Sequence, residues 1–142
     1  MTNPYQKASK AYQSHGDGNM SQLQIVVELY RGILKNIKIA RDSWNDRHLD
    51  VMSNHIIKTF DIIEALQSSL DLEKGGEDAK FLNHFYSVVF SALSHATAKP
   101  DPAAEFDAII AYVQTVYDRW YALAYPNRPV ETSADAEPQA AH

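Results

Sequence analysis

The sequence contains no cysteine. Disulfides, thiolate-bound metals and cysteine nucleophiles are therefore excluded, and the chain suits a reducing compartment. Glycine is scarce, five in 142 residues, and nowhere forms a phosphate-cradling loop or a G-x-S-x-G turn. No run approaches the ~18 consecutive apolar residues of a membrane helix, so stable membrane insertion is not expected. Residues 1–20 are polar and have no apolar centre, so they do not read as a secretory signal. Basic residues never cluster into a stripe. Net charge is −5, with five basic and three acidic residues over 21–47 but two basic and seven acidic over 48–78. A nucleic-acid partner is not expected from that balance. The six histidines are also poorly placed for metal chemistry: none follows a glutamate by three residues, and no two lie four apart. The helical ligand pairs of di-iron and zinc sites are thus missing, and neither a metal nor another cofactor is expected.

What is present is enough apolar material for one core. Hydrophobic residues make up 45% and charged residues 22% of a length that suits a single domain. Four segments carry apolar residues alternately three and four apart, the spacing that lines one face of a helix. The first, residues 21–47, carries Leu23, Val26, Tyr30, Ile33, Ile37, Ala40 and Trp44, with Ser21 as N-cap. The second, residues 49–72, carries Leu49, Met52, Ile56, Phe60, Ile63, Leu66 and Leu70, and is expected to end in a left-handed cap at Gly75-Gly76. The third, residues 77–97, carries Ala79, Leu82, Tyr86, Val89, Leu93 and Ala96. The fourth, residues 102–125, opens on Asp101-Pro102 and carries Phe106, Ile109, Val113, Val116, Trp120 and Leu123.

Short links make neighbouring helices antiparallel, and such stripes favour crossing angles of ~20°. The expected fold is all-α: an antiparallel up-down four-helix bundle over residues 21–125, preceded by a flexible segment over 1–20 and followed by a disordered tail over 126–142. Several helices carry a second apolar row: Ile25, Leu29 and Ile39 in the first, Phe81, Phe85, Val88 and Ala92 in the third, and Ile110, Tyr117 and Tyr121 in the fourth. A bundle helix needs an apolar stripe of only ~100°. The surplus means either a fuller core or an apolar groove kept for a partner.

Two resemblances bear on function. His55-Ile56-Ile57-Lys58-Thr59 resembles the His-x-x-Lys-Gly core of histidine phosphotransfer domains, in which an exposed imidazole accepts a phosphoryl group beside a lysine. Thr59 stands where that motif has a small residue, and Phe60 follows. A phosphotransfer carrier using His55 is kept as an alternative, beside a generic regulatory helical module.

The longer resemblance runs through Ser68-Ser69-Leu70-Asp71-Leu72-Glu73-Lys74-Gly75-Gly76-Glu77, continuing to Ala79 and Leu82. This stretch resembles the junction between the second and third helices of the FliS flagellin chaperones. Ala11-Tyr12-Gln13 is similar to that family's N-terminal tyrosine motif, and Leu29-Tyr30-Arg31-Gly32 to the Leu-Tyr-Asp-Gly of its first helix, with Arg31 in place of the acid. Trp120 is similar to its late aromatic. Ser21-Gln22-Leu23-Gln24 departs from the usual Ser-Pro-Glu-Glu. The resemblance implies a cytoplasmic export chaperone without catalysis. Such a protein binds the disordered C-terminal segment of flagellin, prevents premature polymerisation and assists delivery to the flagellar export gate. It also favours grooves for part of the surplus apolar surface. The expected binding residues are Tyr12, in a segment able to cover the groove, and Leu66, Leu70, Leu72, Phe81 and Phe85 around the second and third helices.

Overall fold

In the computed structural model, which describes residues 21–127, four helices follow one another: α1 Gln22–Asn45, α2 Leu49–Ser68, α3 Gly76–His95 and α4 Pro102–Ala124, with one 3₁₀ turn, Ala96–Ala98, between α3 and α4. They form the expected up-down bundle, with no strand among the described residues. The segments read as a flexible N-terminus (1–20) and as nearly all of the disordered tail (126–142) lie outside the described residues, apart from a turn at Pro126 and Asn127.

Local chemistry sets most of the helix ends. Ser21 Oγ accepts from the Gln24 amide at 3.1 Å while Gln24 Oε1 accepts from the Ser21 amide at 3.2 Å. A reciprocal capping box is therefore intact although the chain lacks the Ser-Pro-Glu-Glu opening, because glutamine at the third position accepts as glutamate would. Asp101 caps α4 by accepting from the Ala104 amide at 3.2 Å, with Pro102 in the first turn. At the end of α1, His48 N–H reaches back to Ser43 C=O and Arg47 N–H to Trp44 C=O. This is a Schellman closure, with Arg47 at φ 62° in the place usually taken by glycine.

The end of α2 corrects the sequence reading. The helix stops at Ser68, four residues before the expected Leu72. Ser68 and Ser69 hydroxyls both donate to the Ala65 carbonyl, and Asp71 Oδ1 accepts from the Glu73 and Lys74 amides. These side-chain bonds offer the backbone an alternative to the helix. The left-handed glycine is Gly76, φ 58°, at the entry of α3 rather than at a cap of α2.

The core follows the expected rows closely. Val26, Tyr30, Ile33, Ile37 and Ala40 of α1, the whole α3 row, and Phe106, Ile109, Val113, Val116 and Trp120 of α4 are buried. On α2, Met52, Ile63 and Leu66 are buried, Ile56 and Phe60 pack against the core, as does Leu70 just beyond the helix, and Leu49 at the helix start is 48% exposed. At the centre the Tyr30 ring lies 6.2–6.3 Å from the rings of Phe85, Tyr86 and Trp120, and the hydroxyls of Tyr30 and Tyr86 are 2.7 Å apart.

Helix α1 lies close along both α2 and α4, whereas α3 approaches α2 and α4 at fewer points. Gly32 makes the first closeness possible: a Cβ there would come within 3.0 Å of Ile62 Cδ1. Between α1 and α4, Arg31 donates to the Tyr117 hydroxyl and Arg41 to Asp107. The Asp107 carboxylate raises the basicity of the Arg41 guanidinium further above its ordinary high value, against the opposing effect of partial burial.

Candidate functional site

The surplus apolar rows resolve residue by residue. Phe85, Ile110, Tyr117 and Tyr121 are buried and enlarge the core, while Ile25, Phe81 and Val88 are exposed. The exposed large residues gather chiefly beside α3, on two flanks. On the α4 flank, Phe81 (48% exposed), Val88 and Tyr112 surround the buried Phe85, whose ring lies 6.3 Å from Phe81 and 5.0 Å from Tyr112. On the α2 flank, Phe60 stacks on Phe90 at 4.3 Å, and Ile57, one turn along α2, is 55% exposed. Below that pair Gln67 Nε2 lies 2.9–3.0 Å from the Asn83 carbonyl, Asn83 Oδ1 and Ser87 Oγ, clasping α2 to α3. Between the flanks runs a polar crest that includes His84 and Ser91.

The flanks exist because of how α3 is spaced. Its inward row fills the core with Leu82, Tyr86, Val89 and Leu93, and bulky aromatic side chains, rather than small ones, bridge it to both neighbours. Wide spacing leaves the outer parts of those side chains in water, and such patches usually mark binding surfaces.

The residues singled out in the sequence divide between these environments. Phe81 and Leu72 are exposed, at 48% and 49%. Leu70 is half-buried against the core. Leu66 and Phe85, each 1% exposed, are core residues in this conformation, which corrects their placement in an open groove. Leu66 continues the buried α2 row through Ile63, and Phe85 is covered by Tyr30, Tyr86 and Tyr112. Tyr12 lies outside the described residues. Sequence reading missed Phe90, Ile57 and Tyr112. The available signal for Phe90 was its isolation: it shares a helix face with Asn83, Ser87 and Ser94, so it breaks a polar row instead of extending an apolar one.

His55 sits elsewhere, between α1 and α2. The Asn36 amide nitrogen donates to the Gly32 carbonyl at 2.8 Å, leaving its oxygen to accept from His55 Nδ1 at 2.6 Å. The imidazole is half-buried, and Thr59 beside it is fully buried with its hydroxyl on the His55 carbonyl. The ring is thus held in an interhelical contact. Among the described residues no group of three His, Asp or Glu side chains could hold a metal ion, and no helix is long and apolar enough to cross a membrane.

The sequence matches the family described as "Flagellar protein FliS" over residues 1–127. The chain belongs to the FliS family. It is also similar to the flagellar secretion chaperone FliS of Vibrio cholerae serotype O1 (strain ATCC 39315 / El Tor Inaba N16961), with 27% identity over 97 residues, covering 68% of this chain and 71% of that protein. The FliS match includes all four helices and hence both flanks of α3.

Proposed function

We propose that the protein is a non-catalytic export chaperone acting in the cytoplasm, where it binds the disordered C-terminal segment of flagellin, prevents its premature polymerisation and hands it to the flagellar export gate. The observation that carries this reading is the apolar surface beside α3, where Phe81 alone leaves 48% of its surface in water, on a chain of the FliS family. A disordered segment that folds as it binds loses ~2–5 kcal/mol of its gross interaction to ordering. It therefore needs several apolar anchors, and an amphipathic segment laid along a helix flank finds them. Phe81, Leu72 and the half-buried Leu70 are the anchors assigned to this client. Tyr12 is assigned to a competing cover.

The test is direct binding of a labelled flagellin C-terminal peptide to the full chain, followed by fluorescence anisotropy. Saturable binding that leaves the peptide monomeric is expected. Absence of binding would remove the reading. The phosphotransfer alternative is tested separately: His55→Ala should leave peptide binding intact, and no acid-labile phosphate should form on the chain when a phosphorylated receiver domain is supplied.

A further inference from the structure

The α2 flank of α3 is edged by acids, and that edge specifies an occupant. On α2, Ile57, Phe60, Glu64 and Gln67 share one face by helical spacing, and Asp61 borders it. Phe60 and Gln67 of that face touch α3 directly, so Glu64 lies along the same edge. Glu64 and Asp61 are exposed, and neither has a salt bridge among the described residues. Some acids do have a basic partner: Asp107 meets Arg41 at 2.9 Å, Glu28 meets Arg31 at 3.7 Å, and Glu77 meets Lys80 at 3.2 Å. Lys58 lies farther round α2, on the side of α1. The Gln67 clasp ties α2 to α3 at one end of this edge, and beyond the Phe60–Phe90 pair Ile57 is the most exposed large hydrophobic side chain described.

An apolar notch with an unmatched acidic rim is complementary to an amphipathic helix that carries Lys or Arg beside its apolar stripe. We propose that the α2–α3 groove docks such a basic-flanked helix from a partner protein, at a site separate from the Phe81 flank assigned to flagellin. The apolar stripe covers Ile57 and Phe90, and the basic residues reach Asp61 and Glu64. The polar crest of α3 keeps the two flanks apart.

The experiment uses the full chain and two labelled helical peptides of about five turns, identical in their Leu/Phe stripe and bordered by Lys in one and Glu in the other. Anisotropy titrations at low salt should give ~10-fold tighter binding for the Lys-bordered peptide, with the preference shrinking as salt rises. Phe90→Ser or Ile57→Ser should weaken that peptide ~10-fold, as loss of an interface anchor does. Asp61→Asn with Glu64→Gln should cut most of the preference between the peptides, while Phe81→Ala should leave it unchanged. Circular dichroism melts accompany each variant, and Ile57→Ser decides the matter if loss of the Phe60–Phe90 stack loosens Phe90→Ser. Equal affinity for the two peptides, no binding of either, or loss of binding through Phe81→Ala instead would overturn the proposal. So would a change of oligomeric state in Ile57→Ser with peptide binding unaltered, because the face would then serve a second copy of this chain. The flagellin titration is a separate measurement, so either reading can fail alone.

Discussion

Helices α1 and α3 are both amphipathic, yet they occupy opposite situations. α1 is gripped on both sides: Gly32 lets it close on α2, and Arg31 and Arg41 reach across to Tyr117 and Asp107 of α4. α3 is spaced from its neighbours by Phe60, Phe85, Phe90 and Tyr112, and hydrogen-bonded to α2 at Gln67. Small residues at a helix contact bring backbones together and hide apolar surface. Large aromatic residues hold backbones apart and leave part of themselves in water. The same fold thus supplies a rigid spine and a helix with two sticky flanks, and the choice is made by side-chain size more than by hydrophobicity.

The sharpest break of this comparison comes from two neighbours on α3. Phe85→Ala removes a ring packed among Tyr30, Tyr86 and Tyr112, and should cost ~3–5 kcal/mol of stability. Phe81→Ala, four residues earlier, removes a half-exposed ring and should cost less than ~1 kcal/mol. Denaturant midpoints with unchanged slopes would measure both. If the two variants unfolded alike, α3 would be no less enclosed than α1, and the comparison would fail.

The spine has its own test. Gly32→Leu places a branched side chain where even a Cβ would sit 3.0 Å from Ile62 Cδ1. Overpacking of this kind should destabilise by ~1–3 kcal/mol. The matching enlargement on the open flank, Val88→Leu, should change the midpoint by less than ~0.5 kcal/mol because Val88 is already exposed. A midpoint for Gly32→Leu equal to the parent's would mean that α1 and α2 can separate as freely as α3 can.

Binding should reverse the order of the two phenylalanines. Phe81→Ala is expected to lower affinity for the flagellin C-terminal peptide several-fold, equivalent to ~1 kcal/mol, while the melt barely moves. Tyr12→Ala should leave affinity unchanged or raise it, since it is assigned to a cover and not to the client site. Calorimetric titration of both variants beside the parent checks each statement. Parent-like affinity in Phe81→Ala would move the client site off this flank.

Much of this architecture was legible beforehand. The four rows of three-and-four spacing named most of the buried hydrophobic residues, though not Val27, Leu34, Phe85, Ile110, Tyr117 or Tyr121. Burial in a bundle is dictated largely by helical periodicity, and periodicity is local. The stretch from Ser68 to Glu77 pointed to the family that residues 1–127 match. What was not legible depended on distances between helices. Phe85 and Phe81 stand four apart on the same helical face, and nothing in the spacing tells that Tyr30 and Tyr112 cover one and leave the other half in water. The end of α2 was misplaced for a different reason: hydroxyl and carboxylate bonds from Ser68, Ser69 and Asp71 to the backbone outweighed the apolar spacing that continues through Leu70 and Leu72.

The smallest effect is expected at Arg47 and Gly76, the two left-handed positions among the described residues, where α1 and α3 differ again. Gly76 enters α3 at φ 58° with nothing within 4 Å of a Cβ placed there, so a side chain would meet only torsional strain. Arg47 leaves α1 at φ 62° and bears that strain, yet its guanidinium lies 4.5 Å over the Trp44 ring. A left-handed non-glycine residue costs ~1–2 kcal/mol, and an exposed cation–π contact returns ~0.5–1 kcal/mol. Arg47→Gly should therefore stabilise only slightly, by ~0.5 kcal/mol, because strain and stacking are lost together. The separation comes from a double-mutant cycle with Trp44→Leu. In that background the stacking is already absent, so Arg47→Gly should stabilise by ~1 kcal/mol, and the difference between the two effects measures the Arg47–Trp44 coupling. Equal effects in both backgrounds would mean that the ring contributes nothing to holding the turn. A destabilising Arg47→Gly in both would mean that the arginine holds the Schellman closure by some contact other than Trp44.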